Sequence, residues 1–185
     1  MKQIILPSLL GAVVIFVWSF ISWTIIGWHN IDLKNFPDQT EIMHMKAVMH
    51  EPGIYIYPRE PQSTDDAAMQ KWFEQYKAGP LVNFMVYNPN GEDWDMVTPM
   101  VRSFLIYFIS AFIASMLLMM TLAQNPGFLR RVVFVMMLGL FAGFVGPFIE
   151  WNWWKFPFGY TIVGVIDFCV TWFIAGLVLA WRIKP

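Results

Sequence analysis

Four runs of this sequence, residues 4–28, 97–123, 132–149 and 159–181, are almost purely apolar and together hold two charged side chains, Arg102 and Asp167. A helix crossing the hydrocarbon core of a bilayer needs about 20 such residues. The third run is the shortest, and Phe128 and Leu129 before it and Trp151 after it lengthen it. Water-soluble folding offers no alternative home for this material. With 57% hydrophobic and 14% charged residues, the chain is far more apolar than a soluble domain, which is about 25% charged. The expected fold class is therefore an all-α membrane protein: four transmembrane helices with a small α+β extracytoplasmic insertion, residues 29–96, between the first and second.

The charges outside the runs set an expected orientation. Eleven of the 13 acidic residues lie between Trp28 and Met96, where they face five bases, Lys34, Lys46, Arg59, Lys71 and Lys77. Lys2, Arg130, Arg131, Arg182 and Lys184 fall at the opposite ends of the runs. Basic residues mark the cytoplasmic side of a membrane protein. Both termini are thus expected in the cytoplasm of a bacterial inner membrane, and residues 29–96 in the periplasm. Lys2 before an apolar run permits a signal-peptide reading, but no small-x-small cleavage site follows, so a retained anchor is expected. Trp28, Trp151, Trp153, Trp154 and Tyr160 are placed at one headgroup level and Trp181 at the other.

Within the insertion, Asp38 followed by Glu41 resembles a capping box opening a helix that runs through His50. Gly53–Tyr57 has the β-branched and aromatic content of a strand, stopped by Pro58. Thr64-Asp-Asp reads as the start of a helix over 67–77 with Gly79 as its stop, and 81–87 reads as a second strand. Asn125-Pro-Gly127 is a turn between the second and third runs. The single Cys169 permits no intrachain disulfide.

Two clusters carry candidate chemistry. Arg102, Glu150 and Asp167 are an intramembrane charge cluster, and ionisable groups at such depth are costly and usually have a purpose. Asp167 shares a helix stripe with Tyr160, Gly164 and Thr171; Gly139, Gly143 and Gly146 lead to Glu150 at similar spacing; Ser8, Ala12, Ser19 and Ser22 share a face of the first helix. Small faces of this kind let helices approach closely. The bland reading is an Arg102–Asp167 pair that fixes register, with Glu150 at the interface; the functional one is a proton-coupled transporter site. The second cluster is His44, Met45, Met49 and His50, soft donors suited to copper(I), against a bland amphipathic helix with Met as filler. No histidine falls in an apolar run, which argues against a bis-histidine haem in the bundle. No cofactor is expected beyond that copper option. No Walker loop, HExxH, GxSxG or CxxC motif is present, so no catalytic residues and no enzymatic activity are expected. No basic patch points to nucleic acid.

The arrangement of Trp18-Ser-Phe-Ile-Ser-Trp23, Trp28-His29, Gly53-Ile-Tyr-Ile-Tyr-Pro58, Trp151-Asn-Trp-Trp154 and Gly159-Tyr160 resembles a group of uncharacterised bacterial inner-membrane proteins of this length. The resemblance implies a four-helix membrane protein with a periplasmic insert, and it transfers no functional residues. The expectation drawn from the residues is an accessory or assembly subunit of a larger membrane complex, in contact with lipids and with other membrane subunits or a second copy of itself.

Overall fold

The computed structural model describes every residue except Met1, Thr64 and Asn125, and of Lys2 the backbone only. The expected roles of Thr64 in a helix start, of Asn125 in a turn and of Lys2 as a side-chain charge lie outside the described residues. The chain divides into two compact units, one of residues 1–33 and 94–185 and one of residues 34–93.

The larger unit is a helical bundle. Helix α1 (Lys2–Phe20) continues through a π-helical stretch (Ile21–Ile26) and ends at Gly27, whose φ of 66° lies in the left-handed region. A 3₁₀ turn (Trp28–Asn30) follows. After the insertion come α4 (Val97–Met120), α5 (Phe128–Trp154) and α6 (Phe158–Arg182). Four helices, α1 with its π extension and α4 to α6, are long and apolar enough to cross a membrane. The run expected over 132–149 is longer than its apolar centre, because Phe128–Arg131 and Glu150–Trp154 are helical too. At most 28% of the most apolar stretch of each helix is buried. The exposed remainder requires an apolar solvent, which marks a multi-pass membrane protein.

Around the bundle the order is α5, α6, α1, α4: α6 packs along α5 and α1, and α1 along α4, whereas α4 and α5 barely touch. Small residues determine where helices meet. A Cβ on Gly139 would lie 2.4 Å from the Trp172 side chain, one on Gly143 2.7 Å from Phe168 Cβ, and one on Gly176 3.0 Å from the Val132 carbonyl oxygen. Hydrogen lets the two backbones approach there and little else fits. Between α1 and α4, Ala12, Ile15, Ala111 and Ala114 are buried, and Ser8 Oγ donates to the Ile4 carbonyl (2.7 Å) while meeting Ser115 Oγ at 3.1 Å. Buried Arg131 donates through Nε and Nη2 to the Ala180 carbonyl (3.3 and 3.2 Å) and through Nη1 to the Pro126 carbonyl. It thereby satisfies a carbonyl of the last turn of α6 with a positive charge, the sign that end of a helix dipole favours.

The smaller unit holds α2 (Gln39–Val48), β1 (Gly53–Tyr57), α3 (Asp66–Ala78) and β2 (Val82–Tyr87). Asp38 accepts from Thr40 N at 3.2 Å and Asp65 from Ala67 N at 2.9 Å, so each helix opens on a carboxylate cap. The strands pair antiparallel, Gly53 opposite Tyr87 and Tyr57 opposite Val82, with an irregularity between Tyr55 and Tyr57. Trp72 donates to the Pro58 carbonyl at 3.2 Å and lies against Phe73 and Tyr76. No described residue of α2 or α3 is fully buried.

Candidate ligand cavity

A cavity of about 480 Å³ opens among α1, α4, α5 and α6. Its polar wall begins on α6, where the stripe Tyr160, Gly164, Asp167 and Thr171 faces inward. Ser19 of α1, Tyr107 and Ser110 of α4, Glu150 of α5, Thr161 of α6 and His29 also line it, with Trp172, Phe168, Ile15 and Trp23 among its apolar neighbours. Ser19 and Tyr107 hydrogen-bond each other at 2.9 Å.

Asp167 is the most elaborately held group. Trp18 Nε1 donates to its Oδ1 at 2.8 Å and Ser22 Oγ to the same oxygen at 2.7 Å. The imidazole of His29 approaches Oδ2, Nε2 lying 3.5 Å away and 3.1 Å from Ser22 Oγ. Ser22 Oγ also accepts from Trp28 Nε1 at 2.8 Å. A hydroxyl has one proton and two lone pairs. Ser22 spends the proton on Asp167, so it can only accept from His29, and the network assigns the imidazole hydrogen to Nε2. All three of Ser22's valences are then used.

Local backbone conformation puts His29 there. Trp18 and Ser22 are four residues apart and share a face of the helix. The left-handed Gly27 then turns the chain back, and the 3₁₀ turn lays His29 over the helix it has just left. The ring stacks on Trp23 with centroids 3.9 Å apart and planes 3° from parallel, while Trp28 meets its edge. Three residues on, Asp32 Oδ2 accepts from Tyr160 N at 2.8 Å, pinning the returning segment to the first turn of α6. The close approach of Asp32 uses the space a side chain on Gly159 would fill. Burial lowers the His29 pKa from its ordinary value, and the Asp167 carboxylate opposes that shift.

Of the expected charge cluster, Glu150 and Asp167 line the one cavity, Glu150 as an exposed residue. Arg102 is exposed, does not line the cavity and forms no ion pair with Asp167 among the described residues. The expected pairing is replaced because Asp167 faces α1, whose indole, hydroxyl and returning imidazole occupy its oxygens. Trp28 departs from expectation too: its indole turns inward to Ser22 instead of serving as a headgroup anchor. In the smaller unit, His44 and His50 are exposed and Met45 and Met49 half-buried, with Met49 capping α2 through its N–H to the Met45 carbonyl. Among the described residues no group of three or more His, Cys, Asp or Glu is placed to hold a metal ion. Comparison with protein-family models, curated proteins and solved structures finds no match.

Proposed function

We propose that this chain is a proton-coupled membrane protein that takes a small ligand into the cavity of its bundle, with Asp167 and His29 as the groups that answer to the ligand and the proton. The observation that carries this reading is a carboxylate and an imidazole side by side on the wall of a cavity of about 480 Å³ inside an apolar bundle. A pair whose sole task was helix register would do better packed against apolar neighbours, since ionisable groups within a membrane are expensive and an apolar replacement often matches or exceeds their stability. Pockets that bind small molecules are of this volume and combine apolar walls with a few convergent polar groups.

The proton is detectable without knowing the ligand. An imidazolium stacked on Trp23 quenches indole emission. Titration of tryptophan fluorescence in the purified protein should show a quenching step on acidification, centred below the usual histidine range and absent from His29→Gln. A flat profile in the wild type would count against a titrating site.

The site's setting in the reading is the bacterial inner membrane, termini in the cytoplasm and residues 29–96 in the periplasm. The bases Arg130, Arg131, Arg182 and Lys184 at the helix ends remote from the insertion support it. Reporter fusions within residues 59–63 and after Pro185 test this; activity of a cytoplasm-only reporter at the first site overturns it.

A second reading, an accessory or assembly subunit, is favoured by the insertion, whose helices α2 and α3 have no fully buried residue and so little core of their own. Purification in mild detergent followed by mass spectrometry decides it, a clean single species telling against a stable complex.

A further inference from the structure

The proposed reading leaves open what kind of ligand the cavity takes, and its charge and access narrow that. Two carboxylates, Asp167 and Glu150, line it, and among the described residues no Lys or Arg does. The one basic group on its wall is His29, which carries a charge only when protonated. Aromatic side chains, Tyr107, Tyr160 and Trp172 among them, share the lining with the carboxylates. An anionic pocket walled by aromatic rings is complementary to a positive charge spread over an apolar body, because ring faces attract cations most strongly where water is excluded.

Access points the same way. Helices α4 and α5 barely touch, and Ile106 of α4 and Ala142 and Gly146 of α5, all exposed, line the cavity. Ile106 is 60% exposed, and a Cβ added to Gly146 would meet nothing within 4 Å. The gap lies between two membrane-crossing helices, so what borders it is acyl chain, and the molecule that enters must dissolve there.

We propose that the cavity binds a lipophilic organic cation, which enters from the bilayer between α4 and α5 and pairs with Asp167. This inference rests on the reading of the cavity as a ligand site. It also supplies a source for proton coupling. A cation beside Asp167 and a proton on His29 are like charges competing for one carboxylate, so each weakens the binding of the other. The remaining titratable groups around His29 are Glu150 on α5, Tyr107 on α4, Tyr160 on α6 and Asp32 on its own segment. None of these carries positive charge, and Glu150, which lines the cavity, adds to the attraction for the cation.

The test uses the full chain in lipid nanodiscs, with tetraphenylphosphonium as probe and tetraphenylmethane as its uncharged counterpart of the same shape. Expected is saturable binding of the cation that tightens as the pH rises from acid to neutral, weakens at least tenfold in Asp167→Asn, and exceeds that of the neutral probe at least tenfold. Asp167→Asn also removes the acceptor of Trp18 and Ser22 and can disturb the fold. Glu150→Gln, at an exposed position, is the second variant, and it should weaken the cation several-fold while leaving the melting temperature unchanged. Ala142→Trp should obstruct the gap and slow association. Equal binding of the two probes, with both blocked by Ala142→Trp, overturns the cation assignment and leaves the ligand site standing. Binding of neither probe overturns the assignment and counts against the site. Cation binding indifferent to both carboxylate variants overturns the pairing.

Discussion

Two levels along one face of α5 are built on opposite plans. Toward α6, Gly139 and Gly143 bring the backbone so close that Trp172 and Phe168 occupy the space where their side chains would be. Gly146, about two turns from Gly139 and therefore on nearly the same face, has open space beside it and lines the cavity instead. The same residue type thus does two different things. At Gly139 and Gly143 a glycine is a packing surface; at Gly146 its lack of a side chain leaves the cavity open. The tight seam carries the stability, and the loose one is where the bundle holds its ionisable groups.

The sharpest way to break this comparison is to add one methyl group at each level. Gly139→Ala places a carbon inside the Trp172 side chain, and overpacking of that kind costs about 1–3 kcal/mol, more than the ~1 kcal/mol that alanine gains over glycine in a helix. A clear drop in melting temperature should follow in detergent. Gly146→Ala meets no neighbour, so its melting temperature should stay level or rise slightly. Equal losses from the two would mean that the face is packed as tightly at Gly146 as at Gly139.

Ser22→Ala acts on the network that holds Asp167 and should have an intermediate effect. It removes the atom that accepts from Trp28 and His29 and donates to Asp167. Leaving such partners unsatisfied costs about 1–3 kcal/mol. Because the change also loosens the returning segment, the pH profile of tryptophan quenching should shift along with the melting temperature. A stability loss with an unchanged profile would separate the hydroxyl from the imidazole.

The smallest effect is on stability against pH. His29 is held below its ordinary pKa by burial, with Asp167 opposing. The unfolded chain therefore binds this proton more readily than the folded one, and stability rises with pH between the two values. The contribution of a neutral His29 is fully present above the ordinary histidine range and is lost as the pH falls through the lowered value. The difference in melting temperature between neutral and mildly acidic buffer should shrink in His29→Gln.

Much of this arrangement was legible in the sequence, because helical spacing alone determines which residues share a face. The stripe Tyr160, Gly164, Asp167 and Thr171 lines the cavity, and the serine face of α1 supplies Ser19 to it and Ser22 to Asp167. The Asp38 cap and the two short strands were likewise readable from local chemistry. What spacing does not carry is how one helix is rotated against the next, and there the expectation that Arg102 would partner Asp167 failed. His29 was missed for a related reason. It lies beyond the first apolar run, among the residues expected in the insertion, whereas its place depends on the left-handed turn at Gly27 and on Asp32 reaching a backbone N–H 128 positions away. Gly27 followed by Trp28 and His29 was the available signal: a helix stop with two polar-tipped rings close enough to fold back.

The central claim is that His29 and Asp167 act as one unit, and nitrogen NMR of the imidazoles tests it most directly. With ¹⁵N-labelled histidine, the signal that disappears in His29→Gln should show a neutral ring protonated at Nε2 at neutral pH. Its titration should move to still lower pH in Asp167→Asn, where the opposing carboxylate is gone. A ring protonated at Nδ1, or a titration indifferent to Asp167→Asn, would contradict the network and with it the proton-coupled reading of the cavity.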